Sequence, residues 1–391
     1  MIFKNSGNLK YIFSTIKNSF LPALFLLLGL LMFYAENPYE GGLPLFFHYL
    51  FMAVTIITFA LLCIANRAKP LFSLLVGFVS YLIINFLKHE YGENFIFSFE
   101  FQCLCFVLPL NLTLLYFLPQ AKLNTIRNTY LLLFLLFQAC LLQHFGSFIK
   151  LIPYVDINFE AMPLLACAEW VAMLVVLMIS SSFKNTHINT GLFYAYIALT
   201  LGVLYSVTPS GLTTFFSSYA VILLCASVLS LYHRYHYDYL EHVFSLTSYF
   251  EHARTRFAYK YTVALFSIDN RDKLKQAIGE NNVRKLEQMM VNSILKMPYD
   301  LSLYRYNESE LLMVFQNEKA KHAKEFADNI RHNIASSEFI TADGKSRKIT
   351  ISACISEKTH KVLDPDKVAE RAHDYLQKSH HFNCNITTIA D

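Results

Sequence analysis

Two textures divide the chain. Through residue 231, apolar runs of bilayer length recur between short polar pieces. They predict a helical membrane domain of about eight spans, at Phe20–Ala35, Phe46–Ala65, Leu71–Leu87, Phe97–Leu118, Thr129–Gln143, Met162–Ser180, Thr190–Val207 and Phe215–Leu231. From Tyr261 the pattern changes to short alternating segments. These predict a strand over Thr262–Ile268 ending at Asp269, then a helix over Asn282–Lys296 stopped by Pro298. A hairpin follows, Leu301–Tyr306 with Glu310–Gln316, turned by Asn307-Glu308-Ser309. Next come a charged amphipathic helix over Glu318–Ser336, a strand over Lys348–Ile355, a helix over Asp364–Lys378 capped by Asp364, and a strand over Asn385–Ile389. That order predicts an α+β domain, an antiparallel-rich sheet with helices packed on it.

The piece between the two textures has no Gly or Pro from Glu241 to Tyr261. With apolar residues at Leu240, Val243, Phe250 and Phe257, it predicts a helix leaving the membrane. Thr247 and Arg254 fall on the same stripe, which argues against a strong coiled coil. The Tyr and His cluster from Tyr232 to Tyr239 reads as an interfacial aromatic belt. The predicted domains are therefore a membrane domain over 1–234, a helical linker over 235–261 and an α+β domain over 262–391.

Composition supports this division. A chain of 391 residues that is 54% apolar and 15% aromatic is a membrane protein in composition. The net charge of +4, with no basic patch among aromatics in the second half, gives no reason to expect nucleic acid. Eight spans put both termini on one side, and the basic residues choose it. Lys4, Lys10, Lys17, Arg67, Lys69, Lys122, Arg127 and Lys184 then lie in the cytoplasm, with Lys88 and Lys150 outside. The first apolar run is followed by acids and Pro38 and lacks a small-residue cleavage pattern, so no cleavable signal peptide is expected. The eight cysteines form no CxxC pair and read as small buried hydrophobes. His48, His89 and His144 are scattered near span ends and predict no metal site.

Two acids inside the spans are candidates for chemistry. Glu100 lies early in the fourth span and Glu169 in the sixth, beside the single tryptophan, Trp170. Both fall toward the outer leaflet. They read either as a ligand- or proton-sensing site or as side chains that reach the interface or pair with a nearby Tyr or Asn. A transporter is disfavoured because no pair of Gly/Pro-broken spans repeats between the two halves.

The predicted hairpin carries a family resemblance. Arg305-Tyr306-Asn307-Glu308-Ser309-Glu310-Leu311 resembles the signature of GGDEF domains, the catalytic domains of diguanylate cyclases. There an Arg and one apolar residue precede Gly-Gly-Asp/Glu-Glu-Phe. Asn307 and Glu308 stand at the two glycines, Ser309 at the first acid, Glu310 at the second and Leu311 at the Phe. The resemblance extends over 245–391. Val263–Asp269 is similar to the first strand with its metal-binding Asp, Ile351–Ile355 to the Val-Ser-x-Gly strand, and Ala369–Lys378 to the final helix. Lys378 matches the lysine that contacts triphosphate, and Leu246-Thr247-Ser248-Tyr249 faintly echoes the opening Leu-Thr-Gly-Leu.

The resemblance implies a cyclase that joins two GTP molecules, with carboxylates for Mg²⁺ and glycines that let phosphate approach the backbone. Several residues depart from it. Ser309 lacks a carboxylate, and Asn307 and Glu308 put side chains where phosphate should approach. Lys275 and Gln276 replace the Asn-Asp pair that reads guanine, and Phe382 replaces a phosphate-binding Arg. The product-inhibition motif Arg-x-x-Asp is reduced to Met297-Pro298-Tyr299-Asp300. The expectation is a degenerate domain with no catalytic residues in a bacterial inner-membrane protein, both termini cytoplasmic. Its role would be that of a regulator or scaffold in cyclic di-GMP signalling or exopolysaccharide secretion. The alternative is a membrane-bound diguanylate cyclase making cyclic di-GMP. No cofactor is required; Mg²⁺ would accompany any bound nucleotide through Asp269 and Glu310. Those two acids also read as solvent-exposed strand-end groups without a ligand. Expected partners are the lipid bilayer and a cytoplasmic protein or a second copy, and the departures argue against GTP or cyclic di-GMP. His380-His381 reads as an exposed turn.

Overall fold

The computed structural model describes residues 4–35, 42–119, 122–144, 164–183, 186–240, 242–255, 257, 260–296, 302–340, 346–359, 364–380 and 384–390. The chain forms two compact units, Met1–Leu231 and Tyr232–Asp391.

The first unit is helical. Its helices are α1 (Lys4–Ala35), α2 (Gly42–Ile64), α3 (Ala68–Tyr91), α4 (Phe99–Phe117), α5 (Ile126–His144), α6 (Leu164–Phe183), α7 (His187–Leu204) and α8 (Pro209–His236). Among the described residues, six of them (α1 to α4, α7 and α8) are long and apolar enough to cross a membrane. At the fifth and sixth expected spans, the described apolar stretches are the shorter Ile126–Leu135 and Ala166–Ser182. Close helix approach holds the unit together where side chains are small. A Cβ on Gly77 would collide with the Tyr219 ring, and one on Gly191 with Ala226. Some polar groups inside are paired: the Ser73 hydroxyl lies 2.8 Å from that of Tyr196, and the buried Lys69 ammonium donates to Asn189 Oδ1 at 2.9 Å.

The second unit is an α+β domain. Its elements run α9 (Leu246–Thr255), β1 (Tyr261–Ile268), α10 (Arg271–Ile278), α11 (Glu280–Leu295), β2 (Ser302–Arg305), β3 (Glu310–Gln316), α12 (Ala320–Ser336), β4 (Phe339–Ile340), β5 (Ser346–Arg347), β6 (Ile351–Glu357), α13 (Pro365–His380) and β7 (Thr387–Ile389). The main sheet has the order β2-β3-β1-β6-β7, with β6–β7 its one parallel pair. The period-two alternation read from the sequence is what sorts the two faces. Ala264, Phe266, Met313, Phe315 and Ala353 pack with Leu286 and Met290 of α11 and Ala327 and Ile330 of α12. Val263, Leu265, Leu312, Val314 and Cys354 face the other way, onto Tyr249 of α9 and Val368, Ala372 and Leu376 of α13.

The join into this domain differs from expectation. The predicted continuous helix is broken: α8 ends at His236, and α9 begins ten residues later. Between them Tyr237 bridges to Phe244, and Phe244 bridges to Tyr304 of β2, so the segment lies along the sheet edge. His242 adopts φ 66°, the left-handed region that glycine favours, and makes this turn possible. The segment Leu246–Tyr249, expected within that helix, is the first turn of α9. Ser245 joins both helices: its hydroxyl accepts from Ser248 N at 3.2 Å and donates to the Tyr235 carbonyl at 2.6 Å. One serine thus begins α9 and satisfies a carbonyl that the end of α8 leaves open. Periodicity misses the turn because nothing in 237–245 is Gly or Pro. It also misses α10, whose described side chains include none that is buried.

Candidate functional site

The hairpin between β2 and β3 is closed by Tyr306 N donating to the Glu310 carbonyl at 3.0 Å. Asn307 organises the turn from its side chain, an Asx arrangement. Its Oδ1 accepts from Ser309 N at 2.9 Å and from the Ser309 hydroxyl at 3.1 Å, while its Nδ2 donates to Glu310 Oε2 at 2.8 Å. Asn307 therefore bonds the turn to itself. Glu308 is exposed and Leu311 is buried in the sheet.

Glu310 is 1% exposed, which corrects the reading of it as a solvent-exposed acid. Its Oε2 also lies 2.8 Å from His373 Nδ1, and its Oε1 accepts from Gln377 at 3.0 Å. His373 and Gln377 are four apart on α13, so one face of that helix reaches the hairpin together. The sequence reading passed over both, although that spacing was the available signal. Tyr306, whose ring lies tilted 5.4 Å from that of His373, has its hydroxyl pKa raised by burial and then by Glu310, Glu370, Asp374 and Asp366. Negative charge thus crowds the surroundings of the Tyr306 hydroxyl.

Asp269 is likewise buried and not the exposed strand-end acid of the alternative reading. Its Oδ1 accepts from the Ser352 hydroxyl at 2.7 Å and its Oδ2 from Asn385 N at 2.8 Å. Arg331 supports the same corner through the Asn385 carbonyl, at 2.9 Å. The Asp fastens the chain ahead of β7 to β6. A hard divalent ion needs carboxylate oxygens free to face it. Both oxygens of each acid accept from protein donors. No group of three or more His, Cys, Asp or Glu side chains suited to a metal occurs among the described residues.

A second cluster, unforeseen in the sequence, surrounds Arg305. This buried guanidinium donates to Asp238 at 3.0 Å, to the Tyr239 hydroxyl at 3.1 Å and to Glu287 at 3.2 Å. Glu287, 2% exposed, also accepts from Arg271 at 2.9 Å and from the Tyr239 hydroxyl at 2.5 Å. Burial, and then the bond to Glu287, push the Tyr239 pKa up. Burial opposes the charge on Arg271, but Glu287 and Glu280 outweigh it and raise the pKa. The turn after α8 is thereby bound to β2 and α11 by charge-assisted bonds.

The remaining predicted residues are dispersed. Lys378 is exposed, its ammonium 5.3 Å from the Tyr375 ring. Lys275 pairs with Glu280 at 2.8 Å. Gln276 is exposed on α10. Glu100 lies in the first turn of α4, where a carboxylate suits the helix N-terminus. Glu169 keeps Oε1 enclosed with no hydrogen-bond partner among the described residues, beside Trp170, which donates to the Cys105 carbonyl at 3.0 Å. Phe382, His381, Asp300 and the His380 side chain lie outside the described residues.

The structural neighbours are GGDEF domains. The active GGEEF domain of a diguanylate cyclase from Vibrio cholerae is 18% identical, at TM-score 0.32, over 36% of this chain and 88% of that one. The GGDEF domain of DgcB from Caulobacter crescentus, in complex with c-di-GMP, is 19% identical at TM-score 0.35, over 40% and 93%. The FimX GGDEF domain from Pseudomonas aeruginosa is 14% identical at 0.35, over 39% and 98%. No family model matches the sequence, and no curated protein matches it.

Proposed function

We propose that this is a membrane-anchored regulator or scaffold whose GGDEF-like domain does not make cyclic di-GMP. The reading rests chiefly on Glu310, the one signature acid retained. It is buried and held by Asn307, His373 and Gln377. Asp269, the other candidate metal ligand, serves the β6–β7 corner. Ser309 brings no carboxylate, and Glu308 adds repulsion toward phosphate that costs on the order of 1 kcal/mol near a protein surface. The domain instead offers a protein partner, or a second copy, a surface set by the state of the membrane unit, within cyclic di-GMP signalling or exopolysaccharide secretion.

The full chain in detergent, given GTP and Mg²⁺, is the test. No cyclic di-GMP and no saturable micromolar GTP binding are expected. Turnover of GTP would reinstate the membrane-bound cyclase. The membrane side of the reading is eight spans with both termini in the cytoplasm of a bacterial inner membrane. Reporters fused after Lys122 and after Asp391 should both report cytoplasm and one near Asp156 periplasm; a periplasmic C-terminus would remove the domain from its nucleotides and partners.

A further inference from the structure

One helix crossing in the first unit departs from ordinary apolar packing. Helix α4 carries Pro109 in its interior, at a buried position. Proline has no backbone N–H, so the Cys105 carbonyl, four residues earlier, receives no hydrogen bond from position 109. Cys105 is fully buried, and an unmet backbone acceptor there would be costly. A different helix supplies the donor. Trp170 of α6, also buried, donates its indole Nε1–H to the Cys105 carbonyl at 3.0 Å. Around this bond the crossing is apolar: Leu104, Leu108 and Leu112 of α4 belong to one cluster with Ala166, Met173 and Leu177 of α6. The α6 residues recur at helical spacing, so that helix turns one face to the cluster and presents its indole from the middle of it. Glu169, one residue away, keeps Oε1 enclosed with no hydrogen-bond partner among the described residues, so the arrangement is held at a polar cost.

We propose that α4 is a hinged span that bends at Pro109, and that Trp170 is the latch holding it in the present arrangement. The missing N–H removes the backbone bond that would stiffen the helix between 105 and 109. The proline ring also crowds the carbonyl behind it, so this is the place where α4 yields. The indole bond takes over from the lost backbone bond, but its donor belongs to another helix. It therefore holds only while α4 and α6 keep their relative position. A shift of α6 away from α4 breaks the bond and frees the bend in the same step. The device lies wholly within α4 and α6, and it does not depend on whether the signature hairpin is catalytic.

The test uses the full chain in nanodiscs. Spin labels enter as unnatural amino acids in place of Phe97, just ahead of α4, and Phe117, its last residue; both positions are exposed. Because the chain has a single tryptophan, growth on the benzothiophene analogue of tryptophan replaces Trp170 alone, keeping its shape and removing its N–H. With Trp170 intact, the labels should show one narrow separation. The analogue should broaden the distribution and add shorter separations, since a more sharply bent α4 brings its ends together. Pro109→Ala returns a backbone donor to the Cys105 carbonyl, so in that background the analogue should change nothing. Three results would overturn the proposal: a separation unchanged by loss of the N–H, a distribution already broad with Trp170 intact, or a broadening that persists with Pro109→Ala.

Discussion

Glu287 and Glu310 are both fully buried glutamates in one domain, and they are accommodated by opposite means. Glu287 is met by two guanidiniums and a phenol, so full charges surround it. Glu310 is met by two side-chain amides and an imidazole, with no guanidinium among them. A buried carboxylate requires either paired charge or enough hydrogen bonds to replace water. The first solution binds four separate chain segments, at 238–239, 271, 287 and 305, into one junction. The second fixes a single turn against a single helix. The difference separates a framework that holds the entry to the domain from a surface that presents its hairpin.

The most direct way to break this contrast is Arg305→Ala, which leaves Glu287 and Asp238 without their shared partner. It should cost about 3–5 kcal/mol of local stability. The readout is faster amide hydrogen exchange in β2 and α11 of the full chain, and a change confined to the hairpin would contradict the framework role. Glu310→Gln should cost less, about 1–3 kcal/mol, because one amide group then faces donors it cannot accept from. Its exchange signature should stay within residues 306–311 and α13. Tyr239→Phe removes one donor to Glu287 while both arginines remain, for about 1 kcal/mol. If it matched Arg305→Ala, the phenol and not the charges would carry the junction.

The smallest effect is a pH dependence. Lys275, followed by Arg271, holds the Glu280 carboxyl below its ordinary value of 4.5. The folded state therefore binds that proton less readily than the unfolded one. The pairing is fully present above pH 4.5 and is lost as pH falls through the lowered folded value. Exchange protection across α10 and α11 should decline in that acid window in the unmodified chain, and this decline should be absent in Glu280→Gln.

Much of the fold was legible because it is local. Apolar run length gave the helices of the first unit, six of which among the described residues are long and apolar enough to cross a membrane, and alternation gave β1, β3 and β6 to within a few residues. The turn at 237–245 was not legible. Its positive-φ residue is His242, and what holds it is Phe244 pairing with Tyr304, sixty residues onward. Short α10 was hidden for a similar reason, since a helix that buries none of its described side chains leaves no periodic apolar stripe.

By itself the sequence determined the two-part plan and the sheet's inward and outward faces. These depend on residue types and on spacings within one element. Only the tertiary structure decided what the acids do. Glu310 meets His373 and Gln377 because α13 returns across the sheet, and Glu287 meets Arg305 because β2 runs beside α11. A carboxylate's chemistry is set by burial and by the donors within about 3 Å of it, and those come from segments tens of residues away.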